Sequence, residues 1–212
     1  MNKRFVMFVL AGALALPVAA SAQVFGQFQS AQTLPVNGRL VGGYIQSSSN
    51  QLGLLGQLRL SFYPGVDFGF QGGFARQNYR GGDRTTVRLG GDLKYQIVQP
   101  TSEYPYSVSL AAGLGVETGD HWSILSMGPT VVGSRSFPGN GDLLFTPFTS
   151  LGLQFNNINV GPVNETDLTL PLRFGSELRL NQQLSLTGEL DLRLSDSFND
   201  DVGFSVGVSS PF

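Results

Sequence analysis

The sequence has no cysteine and a single histidine, His121. No disulfide framework, thiolate metal site or catalytic thiol can be built from it, and a histidine-based metal cluster is excluded too. Charge is also scarce. Charged residues make up 13% of the 212 positions, against about 25% in an ordinary soluble domain. The formal net charge is -2 with no basic cluster, which argues against a nucleic-acid partner. Little charge beside 11% aromatic and 41% hydrophobic residues also excludes a disordered chain. Glycine is plentiful, at 28 residues. An uncharged chain rich in glycine and aromatics needs a physical reason.

The first residues supply part of it. Lys3 and Arg4 precede an apolar run from Phe5 to Leu16, Pro17 breaks the run, and Ala20-Ser21-Ala22 offers small residues where a signal peptidase reads. The pattern predicts a secretory signal over 1–22; the run is too short for a spanning helix, which needs about 20 apolar residues. Cleavage takes Lys3 and Arg4 away, so 212 residues become 190 and 13 basic residues become 11 against 15 acidic ones. Lys94 is then the only lysine. An exported chain with one lysine does not present an ordinary water-facing surface.

Helical periodicity is missing beyond the signal, and alternation with period two recurs instead. In 52–63, Leu52, Leu54, Leu58, Leu60 and Phe62 alternate with Gln57, Arg59 and Ser61. The same rhythm runs through 85–97, 106–117, 168–180 and 184–194, and more weakly through 35–46, 66–78, 123–136, 143–156 and 201–212. These are about ten strands, with eight as the alternative count, and about 9–11 residues is what a tilted strand needs to cross a bilayer. Connections alternate as well. Those after odd strands (47–50, 79–84, 118–122, 156–166, 195–200) are polar and often long; those after even strands include the tight turns Pro64-Gly65 and Asn181-Gln182-Gln183, with two longer Pro-containing ones at 98–105 and 137–142, so the alternation of lengths is approximate. A closed, antiparallel, up-and-down all-β barrel over 35–212 is the expected fold, with 23–34 as an N-terminal periplasmic segment.

Alternation alone leaves the outward face open, since a soluble barrel alternates too. Three features select the leucine face as outward. The polar face is made of Gly, Ser, Thr and a few Arg, Asp and Glu; the apolar face is Leu, Val and Phe along whole strands; and Tyr63, Tyr95, Tyr104 and Tyr106 gather at one set of strand ends, as an aromatic girdle does. The last strand carries Phe204, Val206 and Val208 alternating with Ser205 and Gly207, and closes on Phe212. This ending resembles the C-terminal signature of bacterial outer-membrane barrels. The whole pattern resembles the small outer-membrane barrels, the group that includes the OmpA transmembrane domain, OmpX and the opacity proteins. The resemblance implies an outer-membrane location, lipid and lipopolysaccharide around the barrel, a monomeric state, and recognition of the last strand by the barrel-assembly machinery.

The inward face should then hold Arg39, Arg59, Arg88, Lys94, Arg173, Arg179 and Arg193 against Asp67, Asp92, Glu117, Glu177, Glu189 and Asp191. Near-balance of sign predicts a lumen cross-linked by ion pairs, and a three-residue turn at Asn181–Gln183 places Arg173 opposite Asp191. One pair could carry chemistry: His121 and Ser123 lie two apart at an outer strand end, on the face of Leu125 and Met127. It resembles the rim site of lipid A deacylases, which use a Ser-His-Glu set; Ser123 would be the nucleophile and His121 its base. No Asn follows the serine, and Glu117 and Asp120 precede it. The plainer reading is an interfacial His-Trp anchor at the rim. No cofactor or metal is implied. The expected role is therefore a non-enzymatic structural or surface-interaction barrel acting through its outer loops, where an external ligand would bind. A narrow porin-like channel is the first alternative and a lipid-modifying enzyme the second.

Overall fold

A computed structural model describes residues 25–48, 51–79, 82–120, 122–160, 163–195 and 201–212; the expected signal at 1–22 lies outside them. The described residues form no helix. Their strands are β1 (Arg39–Ser48), β2 (Gln51–Tyr63), β3 (Val66–Tyr79), β4 (Gly82–Val98), β5 (Ser107–Gly119), β6 (Trp122–Ser134), β7 (Phe137–Pro138), β8 (Leu144–Gly152), β9 (Gln154–Val160), β10 (Val163–Arg179), β11 (Ser185–Ser195) and β12 (Asp201–Pro211). Every neighbouring pair is antiparallel, and β12 pairs with β1 to close the sheet. Closure leaves the barrel no unpaired edge, which hydrocarbon would not tolerate.

The strands β8 and β9 occupy one lane between β6 and β10, so the barrel is ten-stranded, with β7 a two-residue addition paired to β8. The lane is broken only at Leu153, and its register against both neighbours is continuous across the break. Proline explains the gap. Leu153 donates to the Pro129 carbonyl at 3.0 Å, but Pro129 on β6 and Pro171 on β10 have no N–H to offer the ladder.

The apolar face points outward and the charged face inward. Leu54 and Leu89 are each 63% exposed, whereas Arg173 is 0% exposed. Tyr63, Tyr95, Tyr104 and Tyr106 are exposed at the end where β2 turns into β3 and β4 leads to β5. Arg135 lies over the Tyr106 and Phe137 rings at 5.2 and 4.8 Å from their centroids, an amphipathic cluster suited to an interface. Phe204, Val206, Val208 and Phe212 all face outward.

Three expectations need correction. Arg39 does not enter the lumen: it shares the exposed face of Val41, because β1 is phased by Tyr44, which points inward and is 3% exposed. The stretch 156–166 is not an open loop. Asn156–Val160 and Val163–Thr166 continue as a paired hairpin, with Asn157 donating to Asn164 at 3.0 Å and Asn159 to Asn157 at 2.9 Å. Asparagine amides that satisfy one another let a polar segment stay in a ladder. The third correction concerns 23–34. Described from Phe25 onward, this segment runs inside the barrel rather than hanging below it.

Candidate functional site

Ten strands enclose more space than eight, whose interior side chains can just fill. This wall cannot fill its own bore, because much of its inner face is small: Ser61, Ser109, Ser126, Thr130, Ser134, Ser150, Thr187, Ser205 and Ser209 are all buried there. Long side chains cluster on two sides. On β2–β4, Arg59 meets Asp92 at 3.1 Å and Asp67 at 3.8 Å, and Lys94 meets Asp67 at 3.4 Å. Above them, Arg88 pairs with Glu117 at 3.0 Å, and Glu117 also accepts from Gln77 and Thr86. On β10–β11, Arg173 lies 3.5 Å from Asp191 and 3.9 Å from Glu189, and Arg193 pairs with Asp191 at 3.0 Å. Arg173 stands opposite Asp191 in the ladder, as the turn length predicts.

Glu177 and Arg179 lie on the lumen face of β10 but reach the mouth, half-buried and exposed respectively, and make no ion pair among the described residues. A separate uncharged-to-acidic network links Ser126, Gln154, Asn156, Asp167 and Thr169. Paired charges and closed polar networks are what a low-dielectric interior demands.

The remaining space holds residues 25–34. Phe25, Gln27, Phe28, Gln29, Ser30 and Ala31 are buried, Ala31 completely. Phe28 stacks on Tyr44 with centroids 3.9 Å apart and planes 8° from parallel, and Leu55 completes this apolar cluster in the bore. Room for Tyr44 comes from Gly207, where a Cβ would collide with the tyrosine ring. Gly113 does the same for Phe25, since any Cβ there would overlap the phenylalanine ring. The segment then leaves through a turn at Pro35–Gly38, with Asn37 at φ 63, and enters β1.

At the opposite rim, Ser123 shares the outward face of Leu125 and Met127, and its ladder partners are Thr118 and Asn159. Glu117 is turned into the bore and engaged by Arg88. His121 lies outside the described residues.

Sequence reasoning missed the segment in the bore. Two signals could have found it: a lumen face too rich in Ser and Gly to fill ten strands, and an uncharged stretch, Phe25 to Leu34, whose two phenylalanines have no strand to belong to.

No family model matches this sequence, and no curated protein matches it. Solved structures do. The chain is similar to an outer membrane channel from Pseudomonas putida F1, with 12% identity and a TM-score of 0.53, covering 90% of this chain and 100% of that one. It is also similar to the β domain of the Bordetella autotransporter BrkA, with 15% identity and a TM-score of 0.50, covering 82% and 99%. At such identities the likeness is one of fold. The protein is a small closed β-barrel of outer-membrane architecture.

Proposed function

We propose that the protein is an integral outer-membrane barrel whose bore is closed, and that it serves the envelope as a structural or surface-interaction protein. Its upper hairpins, chiefly β9–β10, are the surface offered to an external partner, with lipid and lipopolysaccharide around the wall. The observation that carries this reading is the filled bore: ion pairs on the wall and residues 25–34 inside them. An open path for solutes would need that segment gone. A rim enzyme would need an acid placed against Ser123 on the outward face; of the two carboxylates that precede it, Glu117 points inward to Arg88 and Asp120 is exposed in the turn. Export by the N-terminal signal and insertion through the last strand complete the proposal.

Planar-bilayer recording of the unmodified full-length protein tests it. The expected trace has no unitary conductance steps. Long-lived openings of uniform size would overturn the closed-bore reading.

A further inference from the structure

The polar contacts between the wall and the N-terminal segment go mainly to the segment's backbone. Five carbonyls accept from wall side chains: Gly26 from Arg173, Gln27 from Gln57 at 3.1 Å and Gln71 at 3.5 Å, Ser30 and Gln32 from the Lys94 ammonium at 3.0 and 2.7 Å, and Ala31 from Ser109. Four N–H groups donate to wall side chains: Phe28 to Glu189 at 2.9 Å, Ala31 to Ser134 at 3.1 Å, Thr33 to Gln96 at 3.2 Å and Leu34 to Asp67 at 3.0 Å. Backbone groups are common to all peptides, so these bonds carry no side-chain preference. Preference comes from two aromatic receptacles, the space over Gly113 for Phe25 and the Tyr44–Leu55 shelf for Phe28.

We infer that the bore is a binding site for an extended, uncharged peptide with phenylalanines three positions apart, and that residues 25–34 are its resident, exchangeable occupant. Four observations support exchange. The segment is joined to the barrel at its β1 end through a short turn, so withdrawal breaks no strand pairing. A cavity of about 120 Å³ beside Phe28, Lys94, Asp67 and Arg179 leaves the mouth partly open. Phe28 sits at φ 55, a left-handed backbone that an aromatic residue rarely adopts, so the resident is held under strain by the site around it. The fit is also incomplete: both atoms of the Gln29 amide, and Nη2 of Arg173, are buried without a hydrogen-bond partner. Buried unpaired groups cost stability: the Gln29 amide weakens the resident's own hold, and Nη2 of Arg173 is a wall donor that the resident leaves unused. Charge agrees with the ligand class, because residues 25–34 carry none and the wall's ions mostly neutralise each other.

The experiment uses a fluorescent peptide, Phe-Gly-Gln-Phe-Gln-Ser-Ala-Gln-Thr-Leu, and full-length protein in detergent micelles, with anisotropy as the readout. In the Phe25→Ala/Phe28→Ala double variant the resident is weakened. Its affinity for the peptide should exceed that of the unmodified protein at least tenfold, since a tethered occupant competes at an effective concentration of about millimolar. A peptide with alanine at both phenylalanine positions should bind the variant at least tenfold more weakly. A variant that still migrates faster on SDS gels unheated than boiled, as a closed barrel that resists SDS until heated should, yet binds neither peptide, or both equally, would overturn the inference. Should the double variant not fold, a Gln29→Cys reporter with both phenylalanines intact serves instead. Saturating peptide should raise its thiol-labelling rate at least tenfold, and an unchanged rate would equally refute exchange. The conductance recording above tests closure alone, so the two readings fail separately.

Discussion

Docking of the N-terminal segment can be measured through one aromatic ring. Phe28→Ala removes a buried phenylalanine, about 3–5 kcal/mol in a packed site, and a stacked pair, about 0.5–1.5 kcal/mol beyond the burial. The whole sum will not register against the barrel, because the segment can leave while every strand pair stays intact. The loss therefore appears as a shift in the docking equilibrium. Taking only about 3 kcal/mol, at about 1.4 kcal/mol per factor of ten, the undocked population rises roughly a hundredfold. Gln29 supplies the reporter position: it is 5% exposed, its amide has no partner, and the chain has no other cysteine. A Gln29→Cys protein should label slowly, and the same protein with Phe28→Ala about a hundred times faster. Phe204→Ala, on the outward face of β12, is the control and should leave the rate alone. Rates within threefold of each other, or a parent that labels as fast as a free thiol, would refute docking as described.

Two further predictions concern the wall. Arg173→Met strands Glu189 among buried groups while Asp191 keeps Arg193; it should cost about 3–5 kcal/mol, and adding Glu189→Gln should restore about half, by urea titration of the unheated gel band. A cost under about 1 kcal/mol would mean that water already solvates this side of the bore. Leu89→Arg, outward on β4 and 63% exposed, should lower the folding equilibrium into lipid vesicles by about 2–4 kcal/mol, and Leu89→Phe should be nearly neutral. Equal behaviour of the two would place that face against water.

Much of this fold could be read in the sequence because a half-buried strand writes its two environments on alternate residues. The rhythm of 52–63, 168–180 and 184–194 survives in β2, β10 and β11, interrupted only by a register shift between Leu60 and Tyr63 at the end of β2, and even the Arg173–Asp191 pairing follows from turn length. Legibility failed where one face carried too few informative residues. In β1, Gly42 and Gly43 separate Val41 from Tyr44, and a tyrosine fits either side, so the residue pattern predicts the wrong face for Arg39. The hairpin above Asn156 was hidden because its stability comes from amide-to-amide bonds rather than from apolar alternation. The bore's contents were least legible. A segment held by its backbone leaves no periodic trace, since its partners, Lys94, Glu189, Arg173 and Asp67, look in sequence like members of an ion-pair lattice.

Those four residues fix where the segment lies in the bore more than how firmly it closes it. The wall contains two kinds of charged group. Arg88–Glu117, Arg59–Asp92 and Arg193–Asp191 satisfy one another across neighbouring or next-but-one positions and would persist if the segment left. Lys94 spends two of its three donors on the carbonyls of Ser30 and Gln32, while Glu189, Asp67 and Arg173 each bond one backbone group of the segment. Withdrawal would expose these four to water entering the bore, which can replace hydrogen bonds at little net cost. Water cannot replace the contact of Phe28 with Tyr44 and Leu55, or of Phe25 with the strip over Gly113. Polar bonds thus fix the register and direction of the segment, whereas the two rings supply most of the free energy that keeps it in. For that reason a conservative change at Lys94 should matter less to closure than the loss of one ring at position 28.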